Sequence, residues 1–477
     1  MKNGFLIILG IAFGQIVYGQ DVWDLQRCVD FAIKNNIQVR QNKVQEELAN
    51  LTYKQSRDAR WPTANFQTSF GEQFGRSIDP TSNQFTNNQI TFVNGSFQTN
   101  VTLFNWFAQK NQIAANQITV EANRLQTKVI QNDISLNIAS AYLQALLAHE
   151  QMRIASVQVN QTRQQLDITR KRVDAGALPE LNAAELSAQL ARDSATYVSA
   201  ESQFLLNELS IKAILNLDAA LPFRIAIPLA DDIRVDPIAE LQPNAVFLQA
   251  VTQQPRQEAN RLRLEAAIKT TAVAKAALYP TISAFGGLQS AYSSALTFLP
   301  KGNNITSVVP TQAFVNISGT NYFLNQTITR PERFEVANVF RQMPYNFRQN
   351  FGLAVNVPLF NGNQAKTQYQ RSKLDQTTLK LQMLADTLQL KQDIYQAYQS
   401  AVNALETFNS RKKAVETSEY SYNLGQKRYE VGLLQVIELV TLQNNLQRAK
   451  IDMASSQYEY IFRLKVLEFY KYNSIKL

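Results

Sequence analysis

Two hydrophobic periods alternate along this chain, and each occurs twice. Neither Pro nor Gly occurs from Trp106 to Ala175 or from Gln364 to Leu424, and those are the residues that interrupt a helix. Within the second stretch Leu381, Leu384, Leu388, Tyr395, Tyr398, Val402 and Leu405 follow at intervals of 3, 4, 7, 3, 4 and 3. That spacing is a heptad-like seam. It predicts long helices over about 105–175 and 360–430, with return helices over about 179–215 and 433–470. Shorter helices are expected at about 24–60 and 245–277. At 1.5 Å per residue, a rod of about 72 residues reaches roughly 108 Å, wider than an ordinary globular domain.

Just before each rod the period changes to two. Phe351, Leu353, Val355, Val357 and Leu359 alternate with Gly352, Ala354, Asn356 and Pro358. Phe97, Thr99, Val101 and Leu103 alternate with Ser96, Gln98, Asn100 and Thr102, and Ala64, Phe66 and Phe70 with Asn65, Gln67 and Ser69. The windows 62–71, 90–104, 281–299 and 350–360 contain no charged residue. Strands are expected at about 61–75, 90–104, 279–292 and 350–359. Short uncharged segments, apolar on one side and polar on the other, have the pattern of outer-membrane β-strands. Trp61, Phe104, Trp106, Phe107, Tyr279 and Phe360 sit where strand meets helix, the place where aromatic rings mark a membrane interface. The polar stretches 75–89 and about 293–349 at the other strand ends are expected to be extracellular loops.

The phrases themselves repeat. NVTLFN at 100–105 returns as NVPLFN at 356–361, and RVDAG at 172–176 returns as RYEVG at 428–432, both 256 positions later. A conserved internal length between matching phrases points to a duplicated unit around a rigid rod. Gly176 and Gly432 suit the left-handed position just past a helix end, where the chain turns back. The organisation expected is a first repeat over 20–217, a Pro-rich inter-repeat link over 218–243 that reads as a connection rather than as core, and a second repeat over 244–477.

Composition narrows the chemistry. Among 477 residues there are one Cys and one His, so an intrachain disulfide and Cys- or His-based metal sites are not expected, and no cofactor is implied. Cys28 reads as a buried helix cysteine. P-loop, dinucleotide-glycine and HExxH patterns are absent, and no catalytic residue is assigned. The net charge of +9 is spread without a nucleic-acid-type basic block. Residues 1–19 have a positive start, an apolar stretch and a small-residue exit, the pattern of a secretory signal peptide. No later apolar run reaches 18 residues, so no membrane-spanning helix is expected.

Four strands cannot close a barrel, and an open sheet edge cannot face lipid, where no water satisfies its amides. Several copies must therefore share one barrel; two copies give eight strands and three give twelve.

The combination of two strand–strand–long-helix–short-helix units, the LFN phrases, and the turns in RVDAGALPELNAAEL and RYEVGLLQVIEL resembles the TolC-like outer-membrane efflux proteins. GRSIDPTSNQF at 75–85 looks like the first external loop of Bacteroidetes-type members. The resemblance implies a mainly α protein with a membrane β-barrel: a homotrimer whose twelve strands form a barrel in the outer membrane, continued by an α-helical periplasmic tunnel. It further implies a passive conduit for small molecules, working with a periplasmic adaptor and an inner-membrane pump, with no nucleic acid involved. An acidic residue six positions after the second Gly often lines the closed tip in this family, which points to Glu438. Departures stand beside it: Asn182 is the first-repeat counterpart, Leu434 replaces an Arg, and Thr441 replaces a second acid. Closure is thus expected to rest more on Leu178, Leu181, Leu433 and Leu434. The rival readings are the exit duct of a type I protein secretion system and a coiled-coil envelope protein with no pore.

Overall fold

A computed structural model of the chain describes residues 22–78, 83–87, 89–228, 233 and 236–474. The expected signal peptide, and residues 79–82 of the 75–85 segment, lie outside the described residues. The chain divides into two compact units. One holds the chain up to Leu51, Asn116–Ala267, and everything from Leu374 onward; the other holds Thr52–Ala115 and Ile268–Lys373.

The elements recur in matched lengths. The first set is β1 (Val22–Trp23), α1 (Leu25–Asn35), α2 (Ile37–Asp58), β2 (Thr63–Gln73), β3 (Ser77–Ile78), β4 (Phe85–Thr86), β5 (Ile90–Phe104), α3 (Ala108–Asp174) and α4 (Glu180–Leu215). After β6 (Arg224–Ile225) come α5 (Pro243–Gln253), α6 (Pro255–Ala276), β7 (Thr281–Ser293), β8 (Phe298–Ile317), β9 (Thr320–Val336), α7 (Val339–Tyr345), β10 (Arg348–Asn356), α8 (Gln364–Glu430) and α9 (Val436–Tyr472). The long helices α3 and α8 have 67 residues each; α1 and α5 have 11, and α2 and α6 have 22.

Three sequence expectations are corrected. The helices expected over 24–60 and 245–277 are each broken. Asn36 leaves helical backbone at ψ 132°, and its side chain accepts from Gln38 N at 2.8 Å and donates to Ile214 O at 3.1 Å. Gln254 is extended because Pro255 follows it, and the ring excludes helical backbone in the preceding residue. Second, the link over 218–243 does contribute to the core: Ile225, Ile233 and Leu241 are buried, and β6 pairs in parallel with β1. Third, 293–349 is no simple loop. β8 and β9 form a long antiparallel hairpin whose turn residues Ser318 and Gly319 both have positive φ, 51° and 89°, as the primed two-residue turns require. Pro300, Pro310 and Pro331 interrupt the alternation there, which hid the strands.

In the helical unit the apolar stripe of α1, Leu25, Cys28, Val29 and Ala32, is buried with Ile138, Tyr142 and Leu146 of α3 and Ile211 and Leu215 of α4. Tyr142 is made compatible with this core by donating its hydroxyl to Ala226 O at 2.6 Å. A second cluster joins Leu241, Val246, Ile394, Leu464 and Leu467. On α8 the buried hydrophobic positions are Ile394, Ala401, Ala404, Val415 and Tyr429. The Leu381–Leu384–Leu388–Tyr395 part of the seam is exposed on a single chain.

Candidate functional site: a two-faced sheet and paired helical tips

The four expected strands form one antiparallel sheet in the order β10-β7-β5-β2. Register decides what each face presents. Phe66 lies opposite Phe97, which lies opposite Leu288; the next row on that face runs Ala64, Thr99, Gly286 and Phe351, and a further one Val101, Ala284 and Leu353. The opposite face carries Asn65, Gln98, Gly287 and Asn350 in one row and Gln67, Ser96, Gln289 and Arg348 in another. Apart from the Thr68–Gly95–Ser290 row, where Met343 of α7 packs, the apolar face is largely bare within the chain: Phe66 is 73% exposed, Phe70 75%, Phe351 88% and Leu353 69%. β2 and β10 are edges, each paired on one side only.

The six aromatics expected at a membrane interface divide into two groups. Phe104, Trp106, Phe107 and Tyr279 come together: Trp106 lies 4.8 Å from Tyr279 with the rings tilted by 33°, and Phe104 lies 5.6 Å from Trp106 and 5.7 Å from Phe107, centroid to centroid. Trp61 and Phe360 remain highly exposed. The turn behind this group answers why the LFN phrase recurs. Trp106 and Phe107 both hold left-handed backbone, φ 52° and 62°, and the positions 256 later, Gly362 and Asn363, hold φ 63° and 62°. In both repeats the Asn of the phrase accepts the next helix's first amide, Asn105 O from Ala108 and Asn361 O from Gln364. The second repeat uses residues suited to that conformation, whereas the first forces two aromatics into it.

In the helical unit, α3 and α8 end alike. Gly176 N donates to Val173 O and Ala177 N to Arg172 O, both at 2.8 Å; Gly432 N donates to Tyr429 O at 3.0 Å and Leu433 N to Arg428 O at 2.9 Å. With φ of 75° and 78° at the glycines, these are two Schellman caps. Under them Leu166, Leu186, Tyr429, Val436, Leu439 and Val440 form a buried cluster. Of the four leucines expected to close the tip, Leu434 packs against this cluster, Leu178 is half-buried, and Leu181 and Leu433 are exposed. Glu438 lies in the first turn of α9 and is exposed; Asn182 lies in the first turn of α4, half-buried, its amide donating to Pro179 O. Thr441 is exposed and donates back to Ile437 O at 2.8 Å.

Sequence reasoning missed the polar links near these tips. The Thr169 and Tyr429 hydroxyls lie 3.0 Å apart across the two repeats. Buried Thr162 donates to Asp193 at 2.6 Å, Gln189 donates to the other oxygen of Asp193 at 2.7 Å, and Gln443 donates to Thr162 at 3.1 Å. One signal was available: polar residues at core-facing positions of an otherwise apolar stripe. Among the described residues no group of three metal-ligating side chains occurs and no helix is long and apolar enough to cross a membrane.

A sheet with one polar and one bare apolar face, continued in sequence by paired long helices, defines the fold of outer-membrane channels. Residues 29–217 match the family model described as outer membrane efflux protein. A curated relative, the pyoverdine export outer membrane protein OpmQ of Pseudomonas putida, is 22% identical over 340 residues, 71% of this chain and 62% of that protein. The chain thus matches less than two thirds of that relative's length. Among solved structures the outer membrane protein VceC of Vibrio cholerae superposes with a TM-score of 0.71 at 14% identity, covering 94% of this chain and 95% of that one. The CmeC outer membrane channel of Campylobacter jejuni gives 0.70 at 13% identity, covering 94% and 85%. The chain thus has the fold of these outer-membrane channels, and its residues 29–217 match the outer membrane efflux protein family.

Proposed function

We propose that three copies of this chain close one twelve-stranded barrel and form a passive conduit that carries small molecules from a periplasmic adaptor and inner-membrane pump to the exterior. The observation that carries this reading is the uncovered apolar face of a sheet with two open edges. Most of that face is left bare within the chain, and hydrocarbon cannot satisfy the edge amides of β2 and β10. Pairing β10 of one copy with β2 of the next satisfies both edges, turns the Phe351–Leu353 face to lipid and leaves the Asn65–Gln98–Asn350 rows lining water. The exposed Leu381–Leu388 seam offers a matching intersubunit surface for the helices. Glu438 would then form a ring of carboxylates at the tip, able to hold cations.

The test is purification from outer membranes, followed by gel migration with and without heating and by reconstitution into planar bilayers. A heat-dissociated trimer with stepwise conductance is the expected result. A stable monomer in aqueous extract, silent in bilayers, would sink the proposal. Growth of a deletion strain on detergents and dyes, set against its secreted-protein profile, separates efflux from protein secretion.

A further inference from the structure

Of all the residues in the four paired strands, only one places a charge on the polar face. Arg348, the first residue of β10, occupies the row shared with Gln67, Ser96 and Gln289. It lines a depression of about 220 Å³ together with Asn94, Ser96, Gln289 and Asn346. Asn346 is held there, donating to Ala291 O at 2.8 Å. Among the described residues no carboxylate pairs with Arg348. In the adjoining segment the cations Lys301 and Arg341 are both held by Glu335. The guanidinium is exposed and faces a wall of amides and hydroxyls that supply no counter-charge. The adjoining segment 298–341 adds four basic residues against two carboxylates, so the local field is positive.

We infer that Arg348 forms an anion-binding ring in the barrel interior, favouring the exit of anionic solutes. The inference rests on the trimeric channel reading, which brings three copies of the residue around one axis. A ring of like charges on an otherwise neutral wall holds counter-ions of opposite sign and raises their local concentration. A guanidinium suits carboxylate, sulfonate or phosphate groups because its planar donors meet two oxygens at once. The cargo class indicated is therefore small organic anions. The position is at the strand end that leads from α7, so the site is entered from the side of the barrel that carries the β8–β9 hairpin.

The test is block of single-channel current by pyranine, a trisulfonated anion, added to one side of the bilayer and then to the other. Wild-type protein, Arg348→Gln, Arg348→Lys and Glu438→Gln are compared in 0.1 M and 1 M salt. Block from the hairpin side should weaken about fivefold in Arg348→Gln and persist in Arg348→Lys. It should also fade at high salt as screening shortens, and it should be unchanged in Glu438→Gln. Equal block of wild type and Arg348→Gln, or no block of wild type, overturns the anion ring while leaving the channel intact. Absence of any conductance in wild type overturns the channel reading itself.

Discussion

Replacing Gly432 with Ala and, separately, with Asn tests the caps at the helical tips. At φ 78° an L residue other than Asn or Asp carries about 1–2 kcal/mol of backbone strain. A Cβ at this glycine meets no atom within 4 Å, so sterics with neighbours add nothing. The alanine also restricts the unfolded chain, which returns about 0.4–1 kcal/mol. The net loss expected for Gly432→Ala, taking the middle of each range, is therefore about 1 kcal/mol. Asn should cost less, since this protein already places Asn216 and Asn473 in left-handed helix caps at φ 54°. The same comparison applies to Gly176, at φ 75° with equally open space. The assay is hydrogen exchange of the cap amides of Ala177 and Leu433, which donate the outer Schellman bonds. A loss of about 1 kcal/mol speeds exchange about fivefold if exchange proceeds through local opening. Equal damage from Ala and Asn, or unchanged exchange in Gly432→Ala, would refute the reasoning, because strain at positive φ is the only cost invoked.

The remaining predictions concern the membrane face, the tip and the core. Leu353→Arg, on the exposed apolar face, should cost about 2–4 kcal/mol if the residue lies near the bilayer midplane; reduced recovery of heat-modifiable trimer checks this, and undiminished assembly speaks against that face meeting lipid. Glu438→Gln should relieve block of single-channel current by divalent cations, whereas the same block in both proteins removes the carboxylate ring. Burial, followed by the charge of Asp24, pushes the Cys28 thiol from 9.0 up to about 12. Because the folded value is the higher one, stability is retained below about pH 9 and lost as pH rises through the window to about 12. Iodoacetamide at pH 8.5 should therefore label Cys28 only after denaturation, and rapid labelling of native protein contradicts its burial.

Much of this architecture is legible in the sequence because its parts are long and locally periodic. The absence of Pro and Gly over 106–175 allowed one helix, and the repeated LFN and glycine phrases fixed where the rods begin and end. The strand windows were visible through period-two alternation without charge. Their register was not, since pairing depends on neighbours distant in the chain; only the sheet shows that Phe66, Phe97 and Leu288 share a face. The single charge on the sheet's polar face was hidden for the same reason: Arg348 stands just outside the uncharged window 350–360 and acquires meaning only from its row. The β8–β9 hairpin escaped because prolines and charges break its alternation.

Sequence alone determined the repeated order of elements and the two caps, and it carries the argument for more than one copy. These follow from backbone sterics, hydrophobic period and the cost of unpaired amides in lipid, which act within or along a segment. Tertiary structure alone decided which faces remain bare, that the Leu381–Leu384–Leu388 part of the α8 seam is exposed on its own chain, and that Thr162, Asp193 and Gln443 meet in a buried network. Those depend on which residues lie opposite one another after folding, and no local pattern of polarity encodes that pairing.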